Sequence, residues 1–425
     1  MLASAQIVVL DPDMSIDDRR DGWLPYFFST DALGTAIGVG GFSAGNWQPQ
    51  SSFFATGFAT TNDSALVSAA LNNVRFGESR SFLDVFVLAS HFTDQRFYGD
   101  FDQEPGEPRA GSNDSLKDDF ITGISDERTL ELSYKYRLPI GGIKSDPIAI
   151  YRVESGLLKS GPLGGEAWNP MTSGQTTFGT RFFFTDRDLD DFTIGPDGDQ
   201  VVDEPLIART SGLTFWLEHD NTDFPRNPSR GSRQLLKIAR DFGWFNSSNT
   251  WTNIQLDLSK YVDLGMSSWF RHQVLALNFW TSYSPTWEAD PENPSRISNR
   301  PPPRFGSSLG GFDRLRAYPS NRFHDKVAVH YAAELRLIPR YQPLKDLPVI
   351  RYFDIDWWQV VPFVEVGRVG AEYNADLFTR DLKWSAGVGF RVMAFRMPIR
   401  LDIATSDEGT SIWAMVAQPF ARQGQ

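Results

Sequence analysis

From Asp325 to Ile338 every second side chain is apolar: Val327, Val329, Tyr331, Ala333, Leu335 and Leu337 alternate with a set that contains Lys326, His330, Glu334 and Arg336. The same period of two runs from Thr129 to Leu138, where Leu130, Leu132, Tyr134, Tyr136 and Leu138 oppose Glu131, Ser133, Lys135 and Arg137. Side chains two apart share one face of a strand, so each segment separates an apolar surface from a charged one. Ile254, Leu256 and Leu258 against Gln255, Asp257 and Ser259 do likewise, as do Ile399, Leu401 and Ile403 against Arg400 and Asp402, whereas Ser51 to Thr61 alternates poorly. Nowhere is there a run of about 18 apolar residues, which excludes membrane-spanning helices. Aromatic residues still make up 14% of the chain while mean hydropathy stays at -0.33, the balance of strands with lipid on one face and water on the other. A closed barrel is the remaining way to pair every backbone group in a bilayer.

No Gly/Ser-rich or Pro-rich linker divides the 425 residues, so one large unit is expected. The expected fold is all-β: a sixteen-stranded antiparallel transmembrane β-barrel over 23–420, with 1–22 a short periplasmic segment and 421–425 a C-terminal extension. Strands are expected at 23–30, 34–45, 50–61, 64–77, 82–97, 128–139, 146–157, 206–219, 230–242, 250–263, 268–283, 325–340, 357–369, 382–395, 397–405 and 411–420. An even count brings both termini to the periplasmic side and places the long connections 98–127, 158–205, 284–324 and 370–381 outside. Thr176 to Thr185 is also strand-like, but an added crossing would make seventeen and turn 284–324 inward, so it is assigned to the fourth extracellular loop. Residues 99–127 hold nine acids and two bases, and 160–205 the same, together -14 against -12 for the whole chain. Acidic loops are the opposite of a nucleic-acid footprint. They suit divalent cations beside lipopolysaccharide, so outer-membrane lipid and lipopolysaccharide are the expected surroundings of a barrel in a Gram-negative envelope.

Two segments carry the candidate site. Leu315-Arg316-Ala317-Tyr318 lies in a long loop, and Phe363-Val364-Glu365-Val366-Gly367 lies on a strand whose apolar face is Val360, Pro362, Val364 and Val366. Glu365 therefore shares the more polar face with Gln359, Phe363 and Gly367. A planar guanidinium suits a bidentate grip on that carboxylate, and a confined lumen protects such a pair from the screening that weakens it at a surface. Asp197, Asp199 and Asp203 are spaced loosely like a calcium loop but lack its terminal bidentate Glu, so they read as a solvated acidic turn. His91, His219, His272, His324 and His330 stand in no hydrolase motif, so neither catalysis nor a cofactor is expected. Cysteine is absent, which excludes disulfides and thiolate metal sites. Ala3-Ser4-Ala5 before Gln6 has the pattern of a signal-peptidase site and reads as the remnant of a signal peptide.

With these residues in place the chain resembles the BamA/TamA and two-partner-secretion superfamily of outer-membrane barrels, the bacterial surface antigen family, over roughly 23–420. Arg316 and Tyr318 stand where that family has Val-Arg-Gly-Tyr/Phe at the tip of its sixth extracellular loop, with Ala317 in place of glycine. Phe363, Glu365 and Gly367 match the strand motif that receives the arginine, implying a loop inserted into the lumen and latched there. Asp220, Asp223, Pro228 and Gly231 resemble the periplasmic turn after strand eight. Gly387-Val388-Gly389 and Pro398 to Asp402 fit the closing strands, and Phe420 resembles the C-terminal aromatic signal of outer-membrane barrels. The segment before the first strand is too short for a POTRA domain, so the resemblance is to a POTRA-less subgroup. It implies insertion or passage of polypeptide or lipid, with a polypeptide client and a periplasmic or lipoprotein partner. The alternative is a plugged channel or scaffold that binds a partner through its acidic loops.

Overall fold

The computed structural model describes the chain except for residues 1–6, 31–33, 100–106, 163, 166–168, 195–200, 203–205, 290–296, 347–352, 354, 396, 417–418 and 421–425. Its main sheet runs through β1 (Arg20–Thr30), β2 (Gly34–Ala44), β3 (Ser52–Thr60), β4 (Ala65–Arg75), β5 (Ser81–Phe97), β6 (Ile121–Arg137), β7 (Gln175–Ile194) and β8 (Leu206–Asp220). It continues through β9 (Gly231–Asp241), β10 (Thr252–Gly265), β11 (Phe270–Tyr283), β12 (Val327–Pro339), β13 (Ile355–Gly370), β14 (Lys383–Ala394), β15 (Met397–Thr405) and β16 (Thr410–Val416). Fifteen antiparallel ladders join each strand to the next in chain order, and the sheet curls into a barrel. The two-residue strand Val201–Val202 adds to the end of β7. Among the described residues no ladder joins β1 to β16.

Alternation sets the two faces. On β13 the odd-numbered residues from Trp357 to Val369 are buried, while Pro362 and Val364 between them are exposed, so Glu365 points inward. The outward faces carry exposed apolar residues such as Ile37, Val67, Val87, Leu217 and Ile412, as a lipid-facing band requires.

One assignment made from the sequence is overturned. Thr176 to Thr185 belongs to β7, which pairs along its length with β6 and β8, and 146–157 is not a barrel strand. Exchanging one for the other keeps the parity, so 284–326 stays on the outer side. The connection 138–174 moves to the terminal side, which dissolves the long outer loop expected at 158–205. The cause is physical. Phe182, Phe183 and Phe184 interrupt the polar and apolar alternation of β7 because inward-facing Phe183 packs on Trp251 and Phe305. Ala149–Glu154 does alternate, but Ala149, Tyr151 and Val153 pack on Ile7, Val9, Ile143 and Phe224 instead of lipid.

That connection builds a small second sheet. Ile7–Leu10 pairs in parallel with Ala149–Glu154, which pairs with Leu157–Ser160. The sheet crosses the barrel mouth. At one side the Gln175 amide donates to the Tyr151 hydroxyl at 2.8 Å and Tyr151 packs on Phe224. At the other side the Trp357 indole donates to the Gly156 carbonyl at 3.0 Å, and Leu157 rests on Ile338, Trp357 and Met393. Gly156 has φ of +69°, and a Cβ there would lie 2.5 Å from the Asp356 Cβ and 2.8 Å from the Trp357 ring. Gly156→Val is therefore expected to undock the hairpin while the barrel stays folded. Limited trypsin digestion should cleave that variant at Arg152 or Lys159, whereas an unchanged digest would refute the docking.

Candidate functional site in the barrel lumen

The connection 284–326 between β11 and β12 turns back into the barrel. Leu309, Leu315, Ala317, Tyr318 and Phe323 are buried against Trp280, Ala328, Phe363, Val369 and Ala404 of the strands. Gly310, at φ of +106°, makes the return possible, since a Cβ there would lie 2.2 Å from the Pro319 carbonyl oxygen. At the tip Leu315 takes the left-handed conformation at φ of +52°, and the Tyr318 N–H closes the turn onto the Leu315 carbonyl at 3.0 Å. Ala317 shows no positive φ among the described residues, so the methyl group in place of glycine fits without strain.

Arg316 ends inside with no exposed side-chain surface. Glu365 accepts from it twice, from the backbone N–H at 2.8 Å and from Nε at 3.1 Å. The guanidinium Nη1 reaches Asp402 Oδ2 at 2.8 Å and Glu334 Oε1 at 3.1 Å, and its carbon lies 3.5 Å from the centre of the Phe363 ring. Around this centre Arg391 holds Glu334 at 2.7 Å, Arg336 holds Glu334 at 2.9 Å and Arg400 holds Asp402 at 2.6 Å. Four arginines and three carboxylates thus share one buried layer, which fixes geometry more than it adds net stability. His330 Nε2 lies 3.7 Å from Glu365.

The backbone of the tip is gripped as well. The Ala317 N–H donates to Ser385 Oγ at 3.1 Å, Trp413 Nε1 donates to the Arg316 carbonyl at 2.7 Å, and Tyr318 Oη donates to Asp407 at 2.6 Å. Gly367 leaves room for the loop, since a Cβ there would lie 3.0 Å from Leu309 Cδ1. Gly387 leaves room for the Phe363 ring, which would be 2.6 Å away. Above the tip, Arg322 grips Glu408 at 2.9 Å and donates to Ser115 of the connection 98–120, whose Gly111 carbonyl accepts from the His324 N–H at 2.7 Å.

Arg316, Tyr318, Phe363, Glu365 and Gly367, expected from the sequence to meet, do so. Asp402, Glu334, Ser385 and Trp413 complete the site and were missed as partners, although Glu334 and Asp402 already stood on polar strand faces. The turn residues form a separate group on the terminal side. Asp220 accepts from Thr222 N–H at 2.9 Å, Asp223 accepts from the N–H groups of Phe224 and Ser229 at 2.9 Å, and Gly231 takes φ of +101° beside the Asn221 carbonyl. Pro228 is buried in the same turn. Phe420 is buried in the lumen against Tyr261, Val274, Ala276 and Ala332, and the described part of β16 ends at Val416. The Arg233 guanidinium donates to its carbonyl at 3.3 Å. Asp197, Asp199 and Asp203 lie outside the described residues.

A family model described as the Omp85 superfamily domain matches residues 175–411, more than half of the chain, including the strands that carry Glu334, Glu365, Ser385 and Asp402. The chain belongs to the Omp85 superfamily. It is an outer-membrane β-barrel, in a superfamily whose members are transporters and insertases rather than enzymes. Among solved structures the Omp85 barrel is similar to BamA from Haemophilus ducreyi lacking POTRA domains 1-3, at 13% identity and a TM-score of 0.50, over 94% of this chain and 69% of that one. CdiB from Escherichia coli matches at 10% identity and 0.53, and CdiB from Acinetobacter baumannii at 10% and 0.51. Both cover 94% of this chain, which spans 62% and 59% of the CdiB chains. No curated protein sequence matches it. At such identities the likeness is one of fold.

Two outcomes follow from the geometry. Arg316→Ala leaves Glu365 and Asp402 buried without their shared cation, and a loss of about 3–5 kcal/mol is expected. Arg316→Lys should recover only part of it, because an ammonium cannot span both carboxylates as the fork does. Urea unfolding followed by heat-modifiable gel migration measures this, and wild-type stability with a protease-resistant loop in the alanine variant would contradict it. On the outer side His324 is fully buried, and burial together with Arg109, Arg300 and Arg322 holds its pKa well below the usual histidine value. The unfolded loop then binds the proton more readily than the folded one, so loop packing weakens as pH falls below about 6.5. Proteolysis of 284–326 should rise at low pH in the wild type, and His324→Gln should flatten that dependence.

Proposed function

We propose that this Omp85 barrel inserts polypeptide into the outer membrane through its side wall, between β1 and β16, and not by passage along the barrel axis. The carrying observation is that the axis is occupied at three heights. The connections 98–120 and 284–326 pack on each other outside, the Arg316 tip fills the middle, and the small sheet of Ile7–Leu10 with Ala149–Ser160 crosses the terminal mouth. The wall itself is open to parting at the seam: among the described residues no ladder joins β1 to β16.

In this reading the loop latch of Arg316, Tyr318, Phe363, Glu365 and Gly367 holds β12 to β16 together while the seam parts. Ser385 on β14, Asp402 on β15 and Trp413 on β16 all contact the tip, so the closing strands are tied to it as a unit. The turn of Asp220, Asp223, Pro228 and Gly231 supports the cap through Phe224. The chain divides into a barrel and a terminal-side cap built from its first residues and 138–174. A polypeptide client, with a periplasmic or lipoprotein partner to deliver it, and surrounding lipid and lipopolysaccharide are the partners. The alternative of a scaffold binding through acidic loops draws less support, because Arg109 and Ser115 of the connection 98–120 are engaged with 322–325.

Cysteine pairs placed between Arg20–Thr30 and Thr410–Val416 test this reading. In liposomes the oxidised pair should abolish the acceleration of folding of a urea-denatured barrel precursor, and reduction should restore it. Full acceleration with the seam locked would contradict lateral insertion.

A further inference from the structure

The lumen is divided by chemistry. Strands β6 to β15 line it with ion pairs, among them Arg181 with Glu131 and Arg233 with Glu218, and Lys135 of β6 reaches across to Asp84 of β5. Strands β1 to β5 present the opposite character: Leu24, Phe42, Phe54, Phe58, Leu66 and Phe86 line an internal cavity of about 870 Å³. The lumenal loop does not fill it. Gly310, Gly311 and Phe312 form part of the facing wall, and Glu127, Arg187, Lys237, Asp257 and Arg304 border the same cavity on its far side, so one half of it is aromatic and the other charged. The aromatic strands β1 to β5 lie outside 175–411, the part that matches the superfamily.

The lining also turns a corner. Leu24 and Tyr26 face the lumen, but the cavity is equally lined by Trp23 and Phe27, which project from the other face of β1 with 59% and 84% of their surface exposed. Ala414 of β16 and Met397 and Ile399 of β15 continue it. An apolar space therefore runs from the lipid-facing band around the edge of β1 into the barrel. Phe395, in the connection between β14 and β15 on the terminal side, and Pro419 also line it, so the space reaches the terminal half of the wall.

We propose that this cavity binds one acyl chain of a phospholipid that enters from the bilayer around the edge of β1. Its volume falls within the roughly 300–1,000 Å³ of small-molecule sites. Along the aromatic side water is a poor occupant, because those walls give it few hydrogen-bond partners. An extended peptide is a poor occupant too. It would bring N–H and C=O groups that need pairing, while those of β2 to β4 are committed to ladders on both sides. Hydrocarbon needs no such partners and removes the aromatic wall from water.

Strand alternation gives the test an internal control. The protein is reconstituted in phosphatidylethanolamine and phosphatidylglycerol vesicles containing a phospholipid with a diazirine midway along one acyl chain, irradiated, and mapped by mass spectrometry. Adducts are expected on inward Phe54, Phe58 and Phe86 as well as on outward Phe53, Val67 and Val87. Phe58→Gln with Phe86→Gln should lower inward labelling at Phe54 and Leu66 by about tenfold, equivalent to about 1.4 kcal/mol, and leave outward labelling unchanged. Adducts confined to outward residues would overturn the proposal. So would inward labelling that the double substitution leaves intact in a barrel still folded by heat-modifiability. If the double variant does not fold, the inward and outward pattern of the unsubstituted protein decides alone. Labelling requires no insertion activity, so this outcome is separate from that of the locked seam.

Discussion

A single guanidinium, enclosed where water cannot screen it, organises the interior of this barrel. Arg316 is bound by Glu365 through both its own backbone N–H and its Nε, and by Asp402 and Glu334 through Nη1. Those three acids come from β13, β15 and β12, so one side chain delivered by a loop ties three strands. The low dielectric sharpens every partner's position and penalises any arrangement that leaves one charge alone. Gly310, Gly367 and Gly387 are the steric complement, each vacating the space that the loop or the Phe363 ring takes.

Once the loop is fixed, the remaining lumen is set. Its ionic half, from β6 to β15, is matched by charged and polar groups of the loop such as Arg304, which reaches Glu131 at 2.6 Å. The half built by β1 to β5 has aromatic rings where charges would be expected, and the loop stands away from it. The cap at the terminal mouth and the packed loops outside close the axis. What stays accessible is the side next to lipid, which joins an apolar cavity to the edge of β1.

Much of this was legible from residue order. The inward direction of Glu365, the meeting of Arg316 with it, and most barrel strands follow from a period of two and from motif spacing. Ser51 to Thr61 alternates poorly for a reason now plain: Phe54 and Phe58 face an apolar cavity while Phe53 faces lipid, so both sides of β3 are greasy. The exchange of 146–157 for 175–194 arose because periodicity reports a buried face without saying what buries it. Val153 sits in the small cap sheet and is buried with Ile7, Val9 and Phe224, and Phe183 rests on a loop phenylalanine. The inward turn of Phe420 left no local signal, since it depends on Arg233 and Tyr261 more than 150 residues away.

The coupling between Arg316 and Glu365 measures the central claim most directly. A double-mutant cycle of Arg316→Ala and Glu365→Ala, read by urea unfolding in lipid vesicles, isolates it from the separate cost of each truncation. An interaction energy of about 1.5–3 kcal/mol is expected for a buried, doubly hydrogen-bonded pair. Additive effects, with coupling near zero, would show that the loop is held by something other than this contact.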